Sequence, residues 1–180
     1  MAGAAALAVV DVQQGLIDGF ETDGSEVLPV IGRLARQARD ASVLVVLIQH
    51  CGPTIDHPLH RSRSGWALDP MVEPGPDDLL VEKRWSDAFC ETNLDDLLRE
   101  ASVTRMVLVG AQTEYCVDTT ARRAASMGYD VELVGDGHTT SSDGLLSRQQ
   151  IIAHHNQTFA NLAVDGVTLR VIPSDEVSFD

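Results

Sequence analysis

Short runs dominated by Val, Leu and Ile alternate along the 180 residues with longer stretches whose apolar residues fall at helical spacing, and few folds accept that rhythm. A continuous apolar run reads as a strand covered on both faces, the habit of parallel sheets. The stretches between such strands are the crossovers that parallel pairing needs. Five runs stand out: AALAVVDV near 5–12, SVLVVLIQ at 42–49, DLLVEK at 78–83, RMVLVGA at 105–111 and DVELVG at 130–135. A sixth, VTLRVI at 167–172, closes the series. The fold class expected is α/β, with a buried, parallel, six-stranded sheet.

Helices are expected between these runs. Val27, Val30, Ile31, Leu34 and Ala38 recur at steps of three and four, as one helix face requires. A second helix is expected from Thr92, where Thr92 and Asp95 have capping-box spacing and Leu94, Leu97, Leu98 and Ala101 follow. A third starts near Tyr115 and stops at Gly128, and a fourth carries Ile152, His155, Phe159 and Leu162 on one face. The stretch from Cys51 to Pro76 has no periodicity and holds Pro53, Pro58, Pro70, Pro74 and Pro76. Irregular connections of that length are often functional. With no internal repeat and no Gly/Ser linker, residues 1–180 read as one domain.

Charge narrows the partners. Thirteen Lys and Arg against 27 Asp and Glu give a net charge of -14, which repels nucleic acid and anionic lipid and weakly favours a neutral or cationic small molecule. The opening MAGAAALAVV has no basic residue before its apolar stretch, so it reads as a strand and not as a signal peptide. No apolar run approaches the ~20 residues of a membrane span. The expected location is cytoplasmic. Cys51, Cys90 and Cys116 cannot all be paired within one chain, and as free thiols one of them is a candidate nucleophile.

In an open α/β sheet, ligands gather outside the carboxyl ends of the strands. Asp11 ends the first run, Lys83 ends the third, and Cys116 lies just past the fourth as a helix begins. Their chemistries are complementary: a cation or a helix N-terminus lowers a thiol pKa, and a carboxylate can take the thiol proton and return it to a leaving amine. Each has an ordinary alternative as a cap, a surface charge or a small buried side chain. The case rests on the combination.

VVDVQ at 9–13, EKRWSDAF at 82–89 and GAQTEYCVDTTARRAASMGYDV at 110–131 together resemble the isochorismatase-like cysteine hydrolases, which include nicotinamidases, N-carbamoylsarcosine amidase and streptothricin hydrolase. The resemblance runs from Val9 to the VIP at 171–173. It implies a three-layer α/β/α fold around a doubly wound, mainly parallel sheet, and an Asp-Lys-Cys triad at Asp11, Lys83 and Cys116. It further implies a cis peptide bond between Ala111 and Gln112 and an oxyanion hole from the backbone N–H groups of Gln112 and Cys116. Homodimers or higher homo-oligomers are common in the family. Trp85, Phe89 and Tyr115, close to the triad motifs, are candidate pocket residues.

The pattern breaks at the metal. Nicotinamidases of this family carry an Asp-x-His motif after the second strand, where this chain reads Gln49, His50, Cys51. Neither these nor His57 and His60 have the spacing of a closed tetrahedral site, so no metal and no cofactor is expected. His138, in the GDGHTT stretch, and His154 and His155 read as core or surface histidines, and Cys51 and Cys90 as inert thiols without a basic neighbour. The expected reaction is hydrolysis of an amide, lactam or carbamoyl C–N bond through a thioester. The alternatives are vinyl ether hydrolysis of the isochorismatase type and a non-catalytic binding homologue.

Overall fold

In the computed structural model, which describes residues 4–18, 24–142 and 144–179, the apolar runs form six strands. They are β1 (Ala4–Val10), β2 (Leu44–His50), β3 (Leu79–Lys83), β4 (Val103–Ala111), β5 (Asp130–Thr139) and β6 (Leu169–Ile172). All pair in parallel, in the order β3-β2-β1-β4-β5-β6. The chain therefore winds outward from β1 to one edge, then restarts at β4 and winds to the other. The junction of β1 and β4 is the switch point where such sheets open a crevice.

The helices are α1 (Gln14–Ile17), α2 (Val27–Asp40), α3 (Leu94–Glu100), α4 (Asp118–Ser126) and α5 (Arg148–Ala160), with a π-helical turn, Thr113–Val117, leading into α4. Strand residues alternate between two apolar layers. Ala6, Ala8 and Val10 face Leu94 and Leu98 of α3, Ala121, Ala124 and Ala125 of α4, and Phe159 of α5. Leu7 and Val9 face Ile31, Leu34, Ala35 and Ala38 of α2. Helices thus cover both faces, and the architecture is three-layer α/β/α, doubly wound, as expected. Among the described residues no helix is long and apolar enough to cross a membrane.

Local chemistry moves several boundaries. β1 ends at Val10 because Asp11 takes a left-handed φ of 50° and leaves the ladder. β5 runs to Thr139, past a register shift opposite Leu108 and Gly110, although Gly135-Asp136-Gly137 reads as a turn in sequence. Asp136 makes the extension possible by accepting from Ser174 N at 2.8 Å and Ser174 Oγ at 2.6 Å. His138 is therefore a strand residue, not a loop residue. The capping box expected at Thr92 is absent: α3 starts at Leu94 with Asn93 as its cap, and Thr92 Oγ1 donates back to Ala88 O at 2.6 Å. A capping box does form at Ser147 and Gln150, where none was expected, and α5 buries Ile151 and Phe159.

The irregular segment after β2 contains only short 3-10 turns at Ser64–Trp66 and Pro70–Val72. It is tied to the β1 end by Gln14 N to Ala67 O and Asp69 N to Val12 O, each 2.9 Å, and by Gln13 Nε2 to Trp66 O at 2.9 Å. The same Gln13 carboxamide takes His50 N at 2.8 Å and gives to His50 O at 3.1 Å. One buried amide thus fixes the root of the segment beside the crevice.

β4 lies close against β1 at Gly110, where φ is 130° and an added Cβ would stand 2.1 Å from Val10 O. Both conditions exclude any other residue. Gly110→Ala should cost about 2–4 kcal/mol of stability in urea unfolding, by strain and forced strand separation. A midpoint within error of the native protein's would show that this contact does not fix the strands.

Candidate active site

Three strand ends deliver the expected residues to one point. Asp11 follows β1 and is pinned by its N–H to Ile48 O at 2.9 Å. Lys83 is the last residue of β3, in register with His50 of β2, and its carbonyl accepts Cys51 N at 2.8 Å. Two residues after buried Val81, it points to the same face of the sheet, toward α3 and α4. Cys116 sits in the π-helical turn that leaves β4 beyond Gly110. Asp11 and Cys116 thus flank the switch point, and Lys83 reaches them from two strands away.

Lys83 Nζ lies 2.7 Å from Asp11 Oδ2, 3.1 Å from Cys116 Sγ and 3.1 Å from Trp85 O. These acceptors use the three N–H bonds of an ammonium. The Lys83 and Asp11 side chains are 0% and 1% exposed. Among the described residues Asp11 Oδ1 accepts no hydrogen bond.

The electrostatics correct one expectation. Lys83 does pull the Cys116 pKa down, but burial above all, and then the Asp11 carboxylate, push the thiol up to about 12. At neutral pH the Cys116 side chain is a thiol, not a thiolate. Burial alone would lower the Lys83 pKa, yet Asp11 and Cys116 outweigh it and the ammonium is held charged. Burial first, and then the Lys83 cation, lower the pKa of His50, so its ring is neutral near pH 7.

Asp11 and Cys116 open into a cleft of about 260 Å³ walled by His50, Leu59, Gln112 and Tyr115. That volume suits a small molecule. Two larger cavities, of about 490 Å³ beside Arg39 and Ser42 and about 470 Å³ beside Val27 and Ile152, are lined by no cysteine. The first lies at the amino edge of the sheet, away from the strand ends where ligands gather.

The pocket candidates divide. Tyr115 lines the cleft with its side chain 54% exposed at the surface. Trp85 enters the site through its backbone carbonyl, while its side chain is 53% exposed. Phe89 is a correction: it packs into the core at 9% exposure and stacks on Tyr129 at 6.0 Å, so it does not line the cleft. Aromatics in a motif are as often held there by core packing. The Ala111–Gln112 peptide bond is cis, and Gln112 Nε2 donates to Ser141 Oγ at 3.2 Å.

Sequence reasoning did not place His50, His57 or Ser86 in the cleft, where the structure puts them. His50 had a usable signal, because it ends β2 in register with Lys83. Gln49, at the Asp position of the nicotinamidase motif, commits its amide to Trp66 O at 3.0 Å. Among the described residues no group of three His, Cys, Asp or Glu is arranged to hold a metal, so the residues present do not fit that family's metal site. Buried Cys51 does have a basic neighbour, the Arg61 guanidinium, which also pairs with Glu82 at 2.5 Å.

A model of the isochorismatase domain matches residues 5–163. Streptothricin hydrolase of Streptomyces noursei is 41% identical over 139 residues, 75% of this chain and 54% of that protein. The chain thus spans about half the length of that relative. Ureidoacrylate amidohydrolase of Variovorax paradoxus is 27% identical over 191 residues, covering 86% of this chain and 75% of its own. Among solved structures, an isochorismatase from Pseudomonas putida KT2440 matches with a TM-score of 0.87 at 25% identity, over 97% of this chain and 90% of that one.

Proposed function

The chain belongs to the isochorismatase family, and from that premise we propose that it is a cysteine-dependent hydrolase of a C–N bond in a small amide, lactam or carbamoyl compound. One observation carries the reading: a single buried ammonium touches both the Asp11 carboxylate and the Cys116 sulfur, at 2.7 and 3.1 Å, beside a small cleft. The relatives that act on streptothricin and on ureidoacrylate lend it support. Against a merely structural ion pair stands the cost of burying two charges and a thiol together without a task for them.

The reaction follows from the proton positions. As Cys116 Sγ attacks the substrate carbonyl carbon, its proton passes to Asp11, because a thiol with a raised pKa needs a base at the moment of attack. Charge develops on the carbonyl oxygen, where the backbone N–H groups of Gln112 and Cys116 serve as donors. The tetrahedral intermediate collapses, the C–N bond breaks, and the departing amine takes the proton from Asp11. Water, deprotonated by Asp11, then attacks the thioester, and the acid product leaves as Cys116 recovers its proton. Lys83 remains charged throughout, keeping Asp11 and the sulfur in place.

The proposal is tested by a screen for released ammonia or amine over amides, lactams and ureido acids, with isochorismate as the ether control. A C–N substrate that turns over supports it. Turnover of isochorismate alone sinks it in favour of an ether hydrolase. The thiol state gives a second check. Alkylation of Cys116 by iodoacetamide should climb steadily with pH from about 6 to 9, about tenfold per unit, because the thiolate is scarce throughout that range. A plateau below pH 8 would mean a standing thiolate and refute the base role of Asp11.

A further inference from the structure

Behind the Cys116 segment runs a chain of hydrogen bonds, buried at Thr113 and His138 and part-buried at Asn156, that the proposed reaction does not use. His138 of β5, 2% exposed, stands in register with Gly110 of β4. Its Nδ1 is 2.8 Å from Thr113 Oγ1, and its Nε2 is 2.8 Å from Asn156 Oδ1 on α5. Asn156 Nδ2 in turn donates to Gly135 O at 3.0 Å.

The proton positions follow from the far end. A carbonyl only accepts, so Gly135 O holds the NH₂ of Asn156 and turns its Oδ1 toward His138. Oδ1 also only accepts, so Nε2 carries the ring proton. Burial keeps the His138 pKa down at about 4, so the ring is neutral near pH 7 and Nδ1 is a bare acceptor. Thr113 Oγ1 is therefore the donor. Every donor in the chain points the same way, from Thr113 through His138 and Asn156 to the sheet, an arrangement in which each bond strengthens the next.

Thr113 is the link to the chemistry. It is 1% exposed, follows Gln112 directly and begins the turn that carries Cys116. A threonine at a helix start commonly caps it. Here Gln112 is the cap residue, and the Thr113 hydroxyl is given to β5 instead. Tyr115 N and Val117 N both bond Gln112 O, at 3.1 and 3.2 Å, so the turn is closed upon the same residue.

We infer that His138 is a positioning residue: by accepting from Thr113 it holds the backbone from Gln112 to Cys116 in the orientation that receives the oxyanion. This rests on the reading of Cys116 as nucleophile and of the Gln112 and Cys116 amides as its oxyanion donors. A role in packing alone would be filled by any side chain of similar size. The hydrogen-bond role makes the identity of the two atoms matter.

Two reactions of Cys116 separate these roles. Acylation by p-nitrophenyl acetate passes through an oxyanion, whereas alkylation by iodoacetamide does not. Thr113→Val removes the donor. His138→Gln withdraws the acceptor from Thr113 while keeping a polar group within reach of Asn156, and Thr113→Ser and His138→Asn restore a donor and an acceptor respectively. Thr113→Val and His138→Gln should acylate about 10- to 100-fold more slowly than the native enzyme, yet alkylate within about twofold of it at the same pH. The two restoring variants should recover most of the loss.

Native acylation rates in Thr113→Val overturn the inference, and so do parallel falls in acylation and alkylation, which mean a displaced thiol or a general distortion. Melting temperatures show which variants are folded. Should His138→Gln fail to fold, Thr113→Val against Thr113→Ser carries the comparison alone. A native enzyme that is not acylated at Cys116 looks different from all of these, and it removes the nucleophile together with this inference.

Discussion

Cys116→Ala should lose at least about 10³-fold in kcat while keeping its fold, because among the described residues no other thiol lines the cleft. Cys51 is buried outside it and Cys90 does not line it, so neither thiol can substitute. The substitution removes one sulfur that is partly buried against the core, and the Lys83–Asp11 pair at 2.7 Å stays intact. Unfolding midpoints should therefore stay close to native. Mass spectrometry adds a positive sign: a slow substrate quenched in acid should leave its acyl group on the native chain at Cys116 and nowhere on the variant. Undiminished amide hydrolysis by Cys116→Ala would end the covalent mechanism, whatever the rest of the site does.

Lys83→Met should have the largest effect on stability, about 3–5 kcal/mol, because it strands the Asp11 carboxylate at 1% exposure without its partner. The cost belongs to the orphaned charge and not to the worth of the pair. Asp11→Asn combined with Lys83→Met should therefore regain most of the loss, since a buried ion pair replaced by neutral groups of similar shape is often neutral or better. Activity should not return with it: the double variant has no base for the Cys116 proton and no cation beside the sulfur. Urea midpoints and turnover measured on the same preparations test both halves. A double variant as unstable as Lys83→Met alone would mean that the ammonium is needed for the Trp85 carbonyl and the sulfur, not chiefly for Asp11.

The six strands and the helix over Val27–Asp40 were legible because buried parallel strands and amphipathic helices leave strong one-dimensional patterns. Asp11, Lys83 and Cys116 could be read as strand-end residues, and the parallel sheet places all three at one edge. What sequence could not show is distance. It did not reveal that burial and Asp11 together outweigh Lys83 at the sulfur, so the thiol pKa rises where a neighbouring cation alone would lower it. Nor did it reveal the strand beyond Val134, because Gly135-Asp136-Gly137 carries turn residues whose polar side chain is satisfied by Ser174, 38 positions away. Phe89 was misread for the opposite reason: adjacency to a motif in sequence says nothing about which side of the strand end a ring will pack on. The cleft walls at His50 and His57 come from a segment with no period, and there the pattern falls silent.

The raised pKa of Cys116 also bears on how long the protein stays intact. Peroxides and other oxidants attack the thiolate, and a protonated, largely buried sulfur reacts with them slowly. A cysteine kept permanently ionised would be exposed to conversion to sulfinic and sulfonic acids between turnovers. In the reaction proposed for this site, the sulfur becomes nucleophilic only when a carbonyl is in place and Asp11 takes its proton. The arrangement that makes Cys116 a reluctant thiolate is therefore also what shelters it from oxidative damage while the cleft is empty.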